Sequence, residues 1–315
     1  MGKGVVWFGS GFMCGLLANR LLRYLSGSLT KLGRDVIFGK HSVAASKIFF
    51  STAHTVVIFE TRPIVPGHLV VFPRRCVQRS SELTKIELDD FWRTVHIVQP
   101  LTMQRTAATA VNIAMKDGPA TCPPIPHLHC HIIPRIKNDF ERNDQVYEVM
   151  DAWNPVNGEV NQPPPFEFPA DESRTDRTAA EMEAESEVYR AAFATVATKH
   201  GLVCGELPES QLFSRFSIPT SQIFYSSPSN LTVALVNLRP LCPGHVLVVS
   251  KRVVPRIQDL THEEYHDLWQ TVKLVQAVVQ ECIGADSATI GLQDGPDAGQ
   301  SVPHCHVHIL PRNKG

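Results

Sequence analysis

The sequence predicts an α+β protein made of two tandem copies of one small antiparallel-sheet domain. Three observations lead there. A decapeptide with alternating histidines and an apolar end occurs twice, as PHLHCHIIPR at 126–135 and PHCHVHILPR at 303–312, 177 residues apart. In each copy, β-branched and aromatic runs surround one stretch of helical period, the order of a sheet with a helix on one face. The markers between keep the same offset. Pro63, Pro66, Gly67 and His68 answer Pro240, Pro243, Gly244 and His245; Trp92 answers Trp269; Asp117-Gly118-Pro119 answers Asp294-Gly295-Pro296.

Length and composition agree. The chain has 315 residues, 43% of them apolar, enough for two cores. A formal charge of −1 gives no bulk field toward nucleic acid. Eight scattered cysteines without a C-x-x-C pair read as free thiols in a reducing compartment.

Residues 1–35 form a segment of their own. An uncharged run, VVWFGSGFMCGLLAN, is flanked by Lys3, Arg20 and Arg23, and no acidic residue precedes Asp35. It is short of the roughly 20 apolar residues of a spanning helix. Its composition suits a mitochondrial presequence or a membrane anchor over residues 4–25, facing a reducing compartment, with a cytoplasmic chain as the alternative.

The first copy spans 36–153. Residues 47–50 and 55–60 read as strands, PIVPGH punctuates them, and 69–72 is the next strand. Residues 81–103 carry Leu88, Phe91, Trp92, Val95 and Val98 at helical spacing. Residues 110–115 lead through a DGP turn to the first histidine strand. Residues 154–212 are an irregular linker rich in Pro, Asn, Asp and Glu, with a helix over about 178–198 opened by a Thr178/Glu181 capping box. The second copy fills 213–315. Trp92 and Trp269 read as core or interface residues, and His54, His96, His200, His262 and His266 as solvated.

Alternation on a strand puts His304, His306 and His308 on one face, with Cys305 on the core side as Cys130 is in the first copy. Three imidazoles together are a costly surplus of polar groups for a plain core. A metal site is one alternative, since histidine is a common ligand, and a surface strand is another. No carboxylate motif that would back metal ligands is apparent in the sequence, and retention of the other markers in both copies weighs against the surface strand.

HxHxH preceded by PGH and by LQDGPDAGQSV (residues 292–302) resembles the histidine triad superfamily, and most closely its fragile histidine triad (Fhit) branch. DFERNDQVYE after the first triad is similar to the tail of that branch. The resemblance covers about residues 36–193 and 213–312. It implies hydrolysis of dinucleoside polyphosphates, diadenosine triphosphate to AMP and ADP, through a nucleotidyl-histidine. Carried over, His306 is the nucleophile, with His304, His308 and His245 as its orienting and phosphate-contacting partners. Asn237 holds ribose, Phe216 walls the base pocket, and Gln293, Gly299, Gln300, Ser301 and Val302 line the polyphosphate. The protein itself needs no cofactor on this reading, and Mg²⁺ or Mn²⁺ comes with the substrate. The branch is homodimeric, so the two copies would form a pseudo-dimer within one chain. Residues 94–103 and 270–279 would then be contact surfaces, and the first copy's tail would lie near the second site. Rival readings are a nucleoside phosphoramidate or aminoacyl-adenylate hydrolase, a dinucleotide sensor or scaffold with slow turnover, and RNA-cap processing, against which the missing basic patch argues.

The copies differ where donors are needed. The first keeps His68, His127, His129 and His131 as a second candidate site. There Glu60 replaces Asn237, Lys116 replaces Gln293, Cys122 replaces Gly299, and Pro123 and Pro124 replace Gln300 and Ser301. Each proline removes a backbone donor, so the first site is expected to be degenerate.

Overall fold

Alternating apolar runs become strands whose core faces converge on one helix in each copy. The computed structural model describes residues 35–60, 62–121, 125–151, 174–201 and 203–313. The first copy opens with a hairpin of β1 (Val36–Phe38) and β2 (His41–Val43). Then come β3 (Ile48–Ser51), β4 (Thr55–Phe59), β5 (Leu69–Pro73), helix α1 (Lys85–Thr106), β6 (Ala110–Asp117), β7 (His129–Arg135) and the short α2 (Gln145–Asp151). Helix α3 (Ala179–His200) follows. The second copy repeats the plan: β8 (Ser210–Phe213), β9 (Phe216–Pro219), β10 (Ile223–Ser226), β11 (Thr232–Val236), β12 (Val246–Ser250), α4 (His262–Ile283), β13 (Ser287–Asp294) and β14 (His306–Arg312).

The three long helices start alike. Thr84, Thr178 and Thr261 each accept from the third helical amide while Glu87, Glu181 and Glu264 reach back to the cap. Such a cap contributes about 1 kcal/mol. Gly201 and Gly284 close α3 and α4 in the left-handed conformation. Helix α1 carries Pro100 in its interior, and its buried face of Leu88, Phe91, Trp92, Val95 and Val98 holds it helical all the same.

The two copies make one sheet, not two. Ten strands run β10-β11-β12-β14-β13-β6-β7-β5-β4-β3, and every pair is antiparallel. The join is β13 on β6, in register from Ala288 opposite Asp117 to Asp294 opposite Val111. Pairing removes two open edges that would otherwise template aggregation. The expected pseudo-dimer is therefore formed, with a correction: strand pairing is its main joint, and the helical stretches 94–103 and 270–279 add to it. Trp92 and Trp269 stack across the joint with centroids 3.4 Å apart and planes at 6°. Tyr265 donates to the Trp92 carbonyl at 2.9 Å. His96, expected to be solvated, packs on the Tyr265 ring at 4.3 Å.

Two buried carboxylates cross the same joint. Gln276 Nε2 donates to Asp117 at 2.8 Å, and Gln99 Nε2 donates to Asp294 at 3.1 Å. Each DGP turn is thus tied to the helix of the other copy. Helix α3 lies against the second copy, with Tyr189 and Phe193 on the rings of Phe224 and Tyr225. Residues 1–34, with the targeting or anchoring segment, and residues 152–173 and 202 in and beside the linker lie outside the described residues. Among the described residues no helix is long and apolar enough to cross a membrane.

Candidate active site

Strand β14 begins at His306, so His304 sits just before the pairing while His306 and His308 are paired against β12 and β13. The residues paired with them, Val249, Leu247 and Gly291, bring no competing side-chain donor. The hydrogen bonds then assign each ring proton. His306 Nδ1 lies 2.6 Å from the His304 carbonyl, which can only accept, so Nδ1 carries the proton and Nε2 keeps a lone pair. His245 Nδ1 accepts from the Leu241 amide at 3.0 Å, so its proton is on Nε2, 3.0 Å from His308 Nδ1. His308 must then be protonated on Nε2, a buried atom with no hydrogen-bond partner among the described residues. The site thus presents a nucleophilic nitrogen on His306 beside an N–H donor on His308, their rings 4.9 Å apart.

Burial keeps these rings neutral. Desolvation lowers His306 to about 4 and His245 to about 3, and holds His308 well below the usual imidazole range. His304 is lowered by burial as well. Its ring is fully engaged: Nδ1 accepts from Ser214 N at 3.0 Å, and Nε2 donates to the Ser250 carbonyl at 2.7 Å. The residues were expected to share one role, but His304 offers no ring donor to a phosphate here and acts on His306 through its carbonyl.

The other expected residues fall as follows. Asn237, just after β11, accepts from Arg239 N at 2.9 Å, and its amide nitrogen lies 3.2 Å from His245 Nε2. Gln293 ends β13. Gly299 has φ +90°, and a Cβ there would stand 2.9 Å from Gln293 Nε2, so the loop closes on that amide only without a side chain. Gln300 turns inward: its Oε1 accepts from Gly295 N at 2.9 Å, and its Nε2 donates to the Pro255 carbonyl at 2.8 Å. It braces the loop in this structure. Ser301 is exposed, and Val302 packs in the cluster of Phe213, Leu235 and Leu247. Phe216 is 47% exposed under the Arg215 guanidinium. The ring against the triad is instead Phe213, 5.1 Å from His306 and edge-on. Its place in the second copy's hairpin could have been read from Phe38, which meets His129 in the same way at 5.4 Å.

The first triad repeats this geometry. His129 Nδ1 meets the His127 carbonyl at 2.7 Å, His68 Nε2 meets His131 Nδ1 at 2.9 Å, and His127 Nε2 meets the Pro73 carbonyl at 2.8 Å. Burial lowers His129 to about 4 and His68 to about 3. The surroundings differ. His131 is fully buried where His308 is half-buried, and Lys116, opposite His129, is buried too. The cavity beside Lys116, Ile125 and His127 is about 10 Å³, room for roughly one water and far below the roughly 300 Å³ of a small ligand pocket. Cys122, Pro123 and Pro124 lie outside the described residues. Cys130 and Cys305 are core thiols, raised by burial.

Two histidine strands of one plan, set in one sheet, bring His68, His129 and His131 together in the first copy and His245, His306 and His308 in the second. The HIT-domain model matches residues 41–138 and 218–315. The chain belongs to the HIT-domain family, in two copies. A Schizosaccharomyces pombe protein named bis(5'-nucleosyl)-tetraphosphatase [asymmetrical] is 50% identical over 108 residues, covering 34% of this chain and 58% of that protein. A Dictyostelium discoideum bis(5'-adenosyl)-triphosphatase is 49% identical over 102 residues, covering 32% and 67%. The crystal structure of the C. elegans NitFhit protein matches with 41% identity and a TM-score of 0.35, over 39% of this chain and 32% of that one. Each match thus spans only part of either protein.

Proposed function

We propose that the second copy hydrolyses dinucleoside polyphosphates, of which diadenosine triphosphate is the test substrate, through a nucleotidyl-histidine on His306. The observation that carries this is the proton assignment: a lone pair on His306 Nε2 beside a buried, unpartnered N–H on His308. The names of the relatives, a triphosphatase and a tetraphosphatase of dinucleotides, support the substrate class.

In the first step His306 Nε2 attacks the α-phosphorus, a P–N bond forms, and the P–O bond to departing ADP breaks. The His308 N–H donates to a phosphate oxygen as charge develops there. His306 keeps its Nδ1 proton, hydrogen-bonded to the His304 carbonyl, which stabilises the positive ring that attack creates. Water then attacks phosphorus, the P–N bond breaks, AMP leaves, and the water's second proton passes to solvent. His245 is a positioning residue, setting the His308 tautomer. Phe213, Leu235 and Leu247 offer an apolar wall for a base, and Asn237 a donor and acceptor for ribose. No cluster of three acidic, histidine or cysteine side chains suited to a cation forms among the described residues. A divalent ion is read as arriving with the polyphosphate.

The test is AMP release from diadenosine triphosphate by the full chain and by His306→Ala and His129→Ala. Loss in His306→Ala alone is expected. Loss of about half in each variant would mean two equal sites and overturn the assignment of the first as degenerate. A parent that spares the dinucleotide but cleaves adenosine phosphoramidate would move the substrate class to the phosphoramidate reading. We also propose that residues 1–35 carry an address, mitochondrial or membrane-bound. A fluorescent fusion of those residues that stays diffuse in the cytosol would refute it.

A further inference from the structure

The loop of the second site does not rest on its own copy alone. Strand pairing sets Asn112, in β6 of the first copy, directly opposite Gln293. Asn112 is fully buried, and its amide has a single allowed orientation. Its Oδ1 accepts from Arg135 Nη1 at 2.6 Å, and arginine only donates. Both amide protons therefore point the other way, one to the Ala298 carbonyl at 3.0 Å and one to the Tyr147 hydroxyl at 3.2 Å. Tyr147 has Gln293 as its other side-chain partner. Tyr147 thereby ties Asn112 to Gln293, whose amide nitrogen stands beside Gly299, 2.9 Å from where a Cβ would be.

We propose that Asn112 of the first copy is a positioning residue for the second site, holding the Ala298–Gly299 turn and, through Tyr147, the amide of Gln293 in the pose that a substrate phosphate requires. The inference rests on the reading of residues 293–301 as the phosphate-binding element.

Three further features fit the role. Arg135 is itself built in. It is fully buried, chelates Asp139 through two bonds of 2.8 Å, and lies over the Phe140 ring at 4.7 Å. The DFERND segment thus serves as the socket for the arginine that orients Asn112. Other first-copy groups meet the same loop: Thr109 donates to Asp297, and Asn143 approaches Gly299. The pseudo-symmetric seam position supplies an internal contrast. There Thr289 faces Lys116, and threonine cannot bridge a carbonyl, a phenol and a guanidinium at once. The long amide stands only where the partner strand ends in Gln293.

The experiment is a double-mutant cycle on the full chain, using Asn112→Thr, Gln293→Ala and the double variant, with Thr289→Val as a seam control. Hydrolysis of diadenosine triphosphate is read as kcat and KM, and ADP affinity by calorimetry. Asn112→Thr is expected to lower kcat about tenfold, and in the Gln293→Ala background to cost no more than about threefold, because coupled residues are not additive. Thr289→Val is expected to keep the parent's kcat. Three results would each overturn the proposal: additive effects, an Asn112→Thr variant within about twofold of the parent, or an equal loss in Thr289→Val. If the parent hydrolyses no dinucleotide, the functional reading fails on its own, and the cycle in ADP affinity decides. Weaker ADP binding in Asn112→Thr that vanishes on the Gln293→Ala background sustains the positioning role, and unchanged binding removes it.

Discussion

Acidification from pH 8 to pH 5 should cost this protein a large part of its stability while sparing its nucleophile. Four site histidines, His68, His129, His245 and His306, are lowered by burial to about 3 or 4. In the unfolded chain each titrates near its ordinary value of about 6.5. Below that value the unfolded state binds more protons than the folded one, so stability falls as pH falls. The contribution is fully present above about pH 6.5 and is lost on the way down toward pH 4, at about 1.4 kcal/mol per unit and per histidine. At pH 5 that amounts to on the order of 2 kcal/mol each and on the order of 8 kcal/mol for the four. His131 and His308, held well below the usual range, push the same way. Typical domains have only about 5–15 kcal/mol to lose. Urea titrations at pH 8, 7, 6 and 5, followed by tryptophan emission from the stacked Trp92–Trp269 pair, should show a midpoint that moves little above pH 7 and collapses below pH 6. The rate should behave differently: kcat/KM should show no acid limb at pH 6.5, because His306 is neutral throughout the range in which the fold survives. A urea midpoint unchanged between pH 8 and pH 5 would refute the burial argument. An activity limb at pH 6.5 in protein that is still folded would refute the neutral nucleophile.

Three further perturbations test the parts that hold the site. Gly299→Ala places a Cβ at φ +90°, 2.9 Å from Gln293 Nε2 and 3.4 Å from Asn143. It should cost about 1–3 kcal/mol of stability in thermal unfolding, together with at least a tenfold drop in kcat/KM. Trp269→Ala should destabilise by about 3–5 kcal/mol in urea, with the lost stack adding about 1 kcal/mol; a change of under about 1 kcal/mol would mean that the joint does not depend on that pair. Gln276→Leu deprives buried Asp117 of a donor and should cost about 1–3 kcal/mol, most of it recovered in the Asp117→Asn, Gln276→Leu pair if the unpaired charge is the cause.

What the chain declares openly is whatever repeats or alternates. The histidine strands, the PGH turns and the capped helices are local patterns and fold nearly as read, except that the strands start at His129 and His306 and leave His127 and His304 just before the pairing. Even Pro100, which argues against a helix at its position, is overridden by the apolar stripe around it. Groups that act across the joint leave no such trace. Gln99 and Gln276 sit in helices as ordinary polar residues, and only the ten-stranded sheet brings them to Asp294 and Asp117. Asn112 looks like a polar interruption of a strand until Gln293 is found opposite it. Gln300 is the converse case. Its motif marks it as a phosphate contact, but a side-chain amide can equally satisfy the main chain around it, and here it binds Gly295 and Pro255. Phe213 and Phe216 are two aromatics three residues apart, and strand alternation alone does not say which one the hairpin turns toward the triad.

Duplication within one chain changes what such an assembly can do. In a symmetric dimer every seam residue must serve both sites, because the interface is the same patch twice. Here the two sides of the seam have parted. Position 112 is Asn and its counterpart 289 is Thr; position 116 is Lys and its counterpart 293 is Gln. A lysine opposite His129 and an asparagine opposite Gln293 could not both be arranged by one repeated sequence. Nor could a single repeat leave His131 sealed while His308 stays half-exposed. The first copy keeps its histidine hydrogen bonds, since His68 and His131 bind each other while His127 and His129 satisfy buried backbone groups, so that losing one would strand a partner. Its outward groups have meanwhile turned to holding the neighbouring loop. On the proposed reading, packing accounts for the retained triad of the first copy, and service to the second site for the divergence around it.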